Sequence, residues 1–316
     1  MKISVIMPVE RLGGDAQRAI ASVVEQQAPF RFELIVVSAE ALALPQTGVR
    51  NVVELNRNPA TRRNRAVSVA TGEILAFIDD DARAAPGWMA NAAAIFDARA
   101  DVLAVGGPDP APDDSTPAEL VSETLVATPL IGSGVAAHEN RAGTFDVRAA
   151  SDLALVNLFV RRGAFTGFDE SIGYIGEDTT LIESLMQRGR VVYSDSVRVF
   201  HRRRAFPGPY LRQRWRYRVK TGELLVRGSR AHRANPKIWA FLLVAAITII
   251  ASPLAVVPYY VATLIVGARA TRLPKSYWPL IPFAFAAHHA TYFAGIIWGA
   301  ARAVFFRRSP RLPVSG

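Results

Sequence analysis

Residues 72–81 read GEILAFIDDD, an apolar run that ends in three adjacent carboxylates. An apolar run without polar alternation predicts a strand buried on both faces of a parallel sheet. Adjacent carboxylates repel one another, and a bound Mg²⁺ or Mn²⁺ relieves this repulsion while taking phosphate oxygens as further ligands. The stretch therefore predicts a strand with a metal and phosphate site at its carboxyl end. An acidic loop that caps the next helix is the alternative.

Strand and helix patterns alternate on both sides of this run. Strands are predicted at residues 3–9, 32–37, 51–55, 73–78 and 102–105, and helices at residues 15–27, 60–70 and 86–99. This alternation predicts an α/β fold with a doubly wound, mostly parallel sheet and a ligand crevice at the carboxyl ends of the strands. Gly72 is expected to cap the second helix. The proline-rich residues 107–150 are expected to be mostly loop and to form a lid over the crevice.

A second acidic pair, Glu177 and Asp178, follows Gly176 and precedes the apolar-periodic residues 181–186. The pair is therefore expected at a helix N-terminus, where the helix dipole favours ionised carboxylates. A carboxylate in such a place is suited to act as a general base toward a hydroxyl group. An ordinary acidic helix cap is the alternative.

Charge divides the chain into three segments. The net charge is −8 over residues 1–200, +10 over residues 201–236 and +8 over residues 237–316. Because the positive charge lies outside the predicted α/β domain, the pattern argues against a nucleic-acid-binding protein. Cysteine is absent, which excludes disulfides, zinc–thiolate sites and cysteine nucleophiles.

The last third of the chain has the composition of a membrane domain. Residues 238–268 and 276–301 contain no Asp, Glu, Lys or Arg, and each run exceeds the roughly 20 residues that span a bilayer. We predict two transmembrane spans there, within a domain of residues 237–316. A buried helical hairpin in a soluble protein is the alternative. No secretory signal precedes the first strand, so residues 1–204 are expected to stay in the cytoplasm.

Residues 205–236 connect these two parts. Arginines alternate in this segment with Tyr210, Trp215 and Tyr217. A helix of this composition is predicted to lie at an anionic membrane surface, with its aromatic side chains at the interface. The same cations are suited to hold the diphosphate of a lipid-linked acceptor, which is a second interpretation of the segment.

Several short motifs, in this order, resemble the inverting glycosyltransferases of family 2, which have a GT-A nucleotide-sugar-binding fold. They are the strand that ends in Pro8, the pair Arg63-Asn64, the D-x-D element Asp79-Asp80-Asp81, and residues 157–162, 167–170, 176–178 and 191–201. The resemblance covers roughly residues 3–204. The basic segment and residues 289–295 (HATYFAG) are similar to a membrane-anchored subgroup, the succinoglycan-type exopolysaccharide glycosyltransferases.

The resemblance implies donor-binding roles for the residues of the first motifs. Asp81 would be the direct ligand of a divalent cation, Mg²⁺ or Mn²⁺, with Asp79 at the other end of the same element. Asp80 would lie near the donor ribose or sugar. Arg63 would contact the nucleotide, whose base Pro8 and Val9 would border.

The later motifs receive the remaining roles. The resemblance implies that Asp178 is the catalytic base and that Glu177 beside it orients the acceptor. His201 would approach the metal or the diphosphate, and a packed histidine at a strand end is the alternative. Glu10 and Ser38 stand where the family usually has other residues. A uridine nucleotide is expected, and thymidine and guanosine stay open.

The resemblance as a whole implies a multi-pass protein of the cell (inner) membrane. It would transfer a sugar from a nucleotide-diphosphate donor to a polyprenyl-linked glycan at the cytoplasmic membrane face, in the synthesis of an envelope polysaccharide. A polyprenyl-phosphate sugar synthase is one alternative, although its phosphate acceptor is already ionised and needs no base such as Asp178. A non-catalytic, nucleotide-sugar-binding membrane subunit is the other.

Overall fold

The computed structural model describes residues 1–44, 46, 48–129, 135–171, 176–226 and 256–305, together with residues 240, 243, 244, 247 and 254. The strands are β1 (Lys2–Pro8), β2 (Arg31–Ser38), β3 (Val49–Val53), β4 (Ile74–Phe77), β5 (Ala82–Ala84), β6 (Val102–Gly106), β7 (Thr144–Asp146), β8 (Leu158–Arg161), β9 (Arg190–Ser194) and β10 (Val199–His201). The helices are α1 (Gly14–Val24), α2 (Pro59–Val69), α3 (Trp88–Ala98), α4 (Pro117–Ala127), α5 (Glu177–Met186), α6 (Gly208–Val226), α7 (Val256–Ala270) and α8 (Ile281–Phe305).

Eight strands form one sheet in the order β3-β2-β1-β4-β8-β6-β9-β7. The sheet is mostly parallel, as predicted, and its two antiparallel strands are β8 and β7. Side chains alternate across β1, so that Ile3, Val5 and Met7 enter one hydrophobic core and Ile6 enters the core on the opposite face. Helices cover both faces, which confirms the predicted α/β class.

Gly72 does not cap the second helix, contrary to the prediction. Helix α2 ends at Val69, with Ala70 as its C-cap. Gly72 instead lies against β1, where a Cβ atom on it would stand 2.5 Å from the backbone nitrogen of Ser4. The glycine is needed for the close approach of two backbone segments at the beginning of β4.

Residues 107–150 are mostly loop where the structure describes them, as expected, but they include one helix that the sequence analysis does not predict. Residues 117–127 form helix α4, which begins with a capping box: Thr116 Oγ1 accepts from the Glu119 N–H, and the Thr116 N–H donates to Glu119 Oε2. Val121 and Leu125 pack against α6 and α8 in a third hydrophobic cluster. Four prolines between residues 108 and 117 hid this helix in the sequence.

A two-stranded antiparallel sheet pairs β5 with β10 and aligns His201 with Ala82. The sequence analysis does not predict β5, because a strand of three residues is too short to show a period. This pairing places the end of β10 beside the three carboxylates that follow β4.

Helices α6, α7 and α8 form the C-terminal part, and α6 lies along α8. A Cβ atom on Gly299 would stand 1.9 Å from the carbonyl oxygen of Val219, so the two helix backbones are in direct contact. Within the described residues, one helix, Lys275–Phe305, is long and apolar enough to cross a membrane, judged by length and composition alone. Most of residues 238–255 lie outside the described residues, so the span at 238–268 stays a prediction.

Candidate active site

Four of the five carboxylates at 79–81 and 177–178 line one cavity of about 490 Å³ at the carboxyl end of β4. The sheet contributes Asp79 and Asp81, the N-terminus of α5 contributes Glu177 and Asp178, and β10 contributes His201. Helix α6 forms another wall with side chains that include Gln213, Arg214, Tyr217 and Arg218. The fold therefore brings together two carboxylate pairs that are about a hundred residues apart in sequence.

Arg63 connects the two acidic pairs. Its Nη2 donates to Asp79 Oδ1 at 2.9 Å and its Nη1 donates to Glu177 Oε1 at 3.1 Å. The Arg63 side chain is only 8% exposed. Its nucleotide contact stays a prediction, and in this structure its charge holds together the acids of β4 and α5.

Asp80 and the residues after β1 lie beside the cavity and not in its lining. The Glu10 N–H donates to Asp80 Oδ2 at 3.2 Å. Burial, together with the adjacent Asp81, raises the pKa of Asp80 to about 6. The Val9 side chain is fully buried in the core and Pro8 is half-buried, which leaves mainly backbone atoms at this position for a contact with a base.

His201 lies between two carboxylates. Its Nε2 is 3.3 Å from Asp81 Oδ1, and its Nδ1 is 3.5 Å from Asp109 Oδ2. Burial disfavours the charged ring, but Asp81 and Asp109 outweigh burial and raise the pKa of His201 to about 9. This shift favours the charged ring beside Asp81, although Arg203 Nη1 lies 3.1 Å from His201 Nδ1. Arg204 contributes a positive charge 3.7 Å from the same carboxylate.

Behind His201 lies a buried ionic network that the sequence analysis missed. Arg203 Nη2 donates to Asp109 Oδ1 at 3.0 Å, and Arg203 Nε donates to Glu123 Oε2 at 2.6 Å. The Asp109 side chain is fully buried, and Arg203 and then His138 hold its pKa well below the usual range. A triple-arginine sequence at 202–204 was the available signal, but only the fold identifies Arg203 as the buried member.

The acidic pair of α5 lies at the helix N-terminus, as predicted, after Gly176 with φ +95°. Glu177 is 7% exposed. Burial and the adjacent Asp178 outweigh the attraction of Arg63 and raise the pKa of Glu177 to about 7. Asp178 Oδ1 accepts from the Thr179 N–H at 2.7 Å. Its Oδ2 has no hydrogen bond to any residue that the structure describes.

The residues after β4 fit a divalent cation held partly by protein and partly by phosphate oxygens. Among the described residues, no group of three or more His, Asp and Glu side chains is arranged to hold a metal ion by itself. Asp79 and Asp81 both line the cavity, and burial together with these two neighbouring carboxylates raises the pKa of Asp80 between them. A cation would relieve the repulsion among the three. Mg²⁺ and Mn²⁺ sites of phosphate-handling enzymes commonly have one or two carboxylate ligands.

Residues 4–150 match the family described as Glycosyl transferase family 2. That segment contains β1 through β6, the Arg63 position and all three carboxylates after β4. The matched segment is slightly less than half of the chain, and the match supports the predicted resemblance to these glycosyltransferases. Comparison with curated protein sequences found no match.

Solved glycosyltransferase structures share the fold. A mannosyltransferase from Pyrobaculum calidifontis, in complex with GDP-mannose and Mn²⁺, is 20% identical with a TM-score of 0.52, over 97% of this chain and 88% of that one. S. aureus TarS 1–349 with UDP-GlcNAc is 15% identical with a TM-score of 0.50, over 94% and 91%. GalNAc-T7 with UDP, GalNAc and Mn²⁺ is 13% identical with a TM-score of 0.50, over 70% and 47%. At these identities the likeness establishes a GT-A-like fold.

Proposed function

We propose that this protein is an inverting, metal-dependent glycosyltransferase that transfers a sugar from a nucleotide-diphosphate donor to a lipid-linked glycan. The observation that carries the proposal is the cavity itself, in which Asp79 and Asp81 face Glu177 and Asp178 across the bridging Arg63. One acidic pair is suited to the donor diphosphate and the other to an acceptor hydroxyl, and the reaction needs both.

Asp178 is the proposed base. The Thr179 N–H holds its Oδ1, so that Oδ2 is left to take the proton from the acceptor hydroxyl as the hydroxyl oxygen attacks the anomeric carbon. Attack from the face opposite the departing nucleotide inverts the anomeric configuration. Glu177, fixed by Arg63, is placed to orient the acceptor beside Asp178.

Negative charge grows on the nucleoside diphosphate as the sugar–phosphate bond breaks. Asp81 and Asp79 would hold a divalent cation, which supplies neutralisation of that charge. Arg204 and the protonated His201 add positive charge next to Asp81. Two of the solved structures that share the fold contain Mn²⁺ with a nucleotide or nucleotide-sugar, which supports both ligands here; the uridine base remains part of the proposal.

The lipid-linked acceptor and the membrane location rest on α6 and α8. The outward sides of α7 and α8 expose large apolar side chains, among them Val261, Ile265, Phe283, Ile297 and Trp298. Large exposed apolar side chains that adjoin one another mark a surface that contacts a membrane or another protein, and the proposal assigns these to the bilayer. On α6, Arg212, Trp215 and Arg216 are exposed, which suits contact with anionic headgroups.

The experiment uses membranes that contain the full chain, with membranes that lack it as control. A panel of labelled UDP-, GDP- and dTDP-sugars is supplied with Mn²⁺ or with EDTA, and organic-soluble products are weighed by mass spectrometry. The proposal predicts a Mn²⁺-dependent product in which a diphosphate-linked glycan has gained one sugar. A single sugar on a monophosphate lipid would assign the synthase activity instead, and failure to bind any of these nucleotides would contradict the proposal.

A further inference from the structure

The cations that line the cavity differ in how they are paired. Arg63 and Arg203 each contact two carboxylates, and Arg204 lies 3.7 Å from Asp81. Arg214 and Arg218, on α6, have no ion pair with any residue that the structure describes. Positive charge is therefore in excess on the α6 wall, whereas the acids at the end of the sheet have counter-charges.

Arg218 is the one of the two that contacts the apolar helix α8. The Nε atoms of both arginines are buried and have no hydrogen-bond partner among the described residues. Arg214 stands one helical turn away on the same face, and like charges at this spacing repel each other. Burial lowers the pKa of Arg218 below its ordinary value, and Arg214 adds to this effect. Arg218 is half-buried, and a partly desolvated cation without a carboxylate partner is costly for the protein alone. An anionic ligand would offset that cost.

The support beneath Arg218 prepares it for such a ligand. Its guanidinium carbon lies 3.9 Å from the centroid of the Tyr292 ring on α8, and Gly295 approaches its Cβ closely. A guanidinium group stacked on a ring keeps its in-plane N–H groups available for two oxygens of one phosphate. Stacking thus fixes the group, and no hydrogen bond joins its Nη atoms to a residue that the structure describes.

The position of Arg218 indicates that an anion bound to it would be a different group from the donor diphosphate. The carboxylates suited to hold a cation and the donor follow β4, whereas Arg218 lies where the cavity meets α8, the apolar helix of the C-terminal part. An anion at Arg218 would have apolar surface next to it.

From these contacts we infer that Arg218 forms a subsite for the phosphate group of the acceptor, separate from the donor site. That the bound phosphate belongs to the acceptor rests on the proposed function. The anion-binding subsite itself is defined by Arg218 and Tyr292 alone. The phosphate is carried either by a lipid or by a water-soluble molecule.

The test measures binding to the purified full chain in detergent micelles. Farnesyl diphosphate, inorganic pyrophosphate and farnesol are titrated in EDTA, so that a cation at Asp81 does not contribute. Binding of UDP and of GDP with Mn²⁺ is measured in parallel. The variants are Arg218→Gln and Arg218→Lys, and Arg31→Gln, an exposed residue outside the cavity lining, is the matched control.

Arg218→Gln is expected to weaken farnesyl diphosphate binding roughly 10- to 100-fold, the worth of hydrogen bonds to a charged group. Arg218→Lys should retain part of the affinity, and nucleotide binding should stay within about twofold of the original protein. A collapsed cavity would lower both kinds of binding in both variants. If farnesyl diphosphate binds much more tightly than pyrophosphate, the subsite is assigned to a lipid-linked phosphate. If the two bind with equal affinity, it is assigned to a soluble phosphate.

Unchanged farnesyl diphosphate binding in Arg218→Gln would overturn the inference. Equal losses of nucleotide and farnesyl diphosphate binding would also overturn it, because Arg218 would then belong to the donor site or to the packing of α6. If the original protein binds no nucleotide but binds farnesyl diphosphate through Arg218, the proposed function fails and the anionic subsite stands.

Discussion

Arg63 is the residue at which the two halves of the candidate site meet. Its two hydrogen bonds join Asp79 and Glu177, so the charge of each acid influences the other through one guanidinium group. The negative charge of Glu177 is only partly compensated, because Arg63 also binds Asp79 and because Asp178 adds a like charge beside it. The ionisation of Glu177 should therefore affect the stability of the protein.

We expect stability to fall as the pH rises from about 5 to about 8. Burial and Asp178 raise the pKa of Glu177 to about 7, above its value in the unfolded chain. The folded state therefore holds a proton that the unfolded state has lost, and the free energy of unfolding decreases with pH in this window. Glu177→Gln should remove on the order of 1 kcal/mol of this dependence, measured as thermal midpoints in detergent at several pH values. If the thermal midpoints of the original protein and of Glu177→Gln change with pH in parallel, the pH dependence does not come from Glu177.

Asp81 tests the donor half of the site. Asp81→Asn removes a negative charge from the proposed cation site. It should weaken Mn²⁺-dependent UDP or GDP binding by at least about tenfold, because mutation of even an outer-sphere partner of a metal lowers metal affinity by that factor. Titration calorimetry measures the affinity. Asp97→Asn, at an exposed position on α3, is the matched control and should bind like the original protein. Equal affinity in Asp81→Asn would remove Asp81 from the proposed cation site.

Sequence could predict the acids but not their partners. The carboxylates at 79–81 follow an apolar strand, and those at 177–178 precede an apolar helix. The local sequence pattern therefore predicts both positions. Asp109 and Arg203 are 94 residues apart, and no local signal indicates that they meet. Arg218 is one of five basic residues on α6, and only the packing against Tyr292 singles it out.

At the scale of elements, continuous apolar runs made β1, β2, β4 and β6 predictable, since strands buried on both faces need such runs. β5 was missed because its pairing with β10 is decided by tertiary structure. Helix α4 was missed although its capping box and apolar residues are local, because the nearby prolines favoured a loop. Helix α4 matters to the site, since Glu123 on it holds Arg203.

The capping box of α4 should be measurable in stability. Thr116→Ala removes the side chain that accepts from the Glu119 N–H, and loss of such a cap costs about 1 kcal/mol. Thermal unfolding in detergent measures the change. Ser68→Ala, at an exposed position inside α2, is the control and should leave the midpoint nearly unchanged. An unchanged midpoint in Thr116→Ala would show that packing alone holds α4.

At the scale of the whole molecule, α6 joins the α/β domain to the apolar helix α8. One side of α6 forms a wall of the cavity, and another lies against Gly295 and Gly299. The shape of the α6 wall of the cavity therefore depends on how closely α6 and α8 pack.

Gly299→Ala tests this packing. The added methyl group would stand 1.9 Å from the Val219 carbonyl oxygen, so the helices must separate, at a cost of roughly 1–3 kcal/mol. The thermal midpoint and the transfer rate should both fall. Gly163→Ala is the matched control, since nothing lies within 4 Å of its added Cβ. A Gly299→Ala protein as stable and active as the control would contradict a structural link between α6 and α8.

Asp178→Asn addresses the central claim, that the acid of α5 is the base for transfer while the acids after β4 serve the donor. Full-length protein in membranes is assayed with the donor identified from the nucleotide-sugar panel, and donor affinity is measured on the same preparation. The account predicts a turnover lower by roughly 10²- to 10⁴-fold, the usual worth of general-base assistance, with donor affinity within about twofold. Near-normal turnover in Asp178→Asn would contradict it.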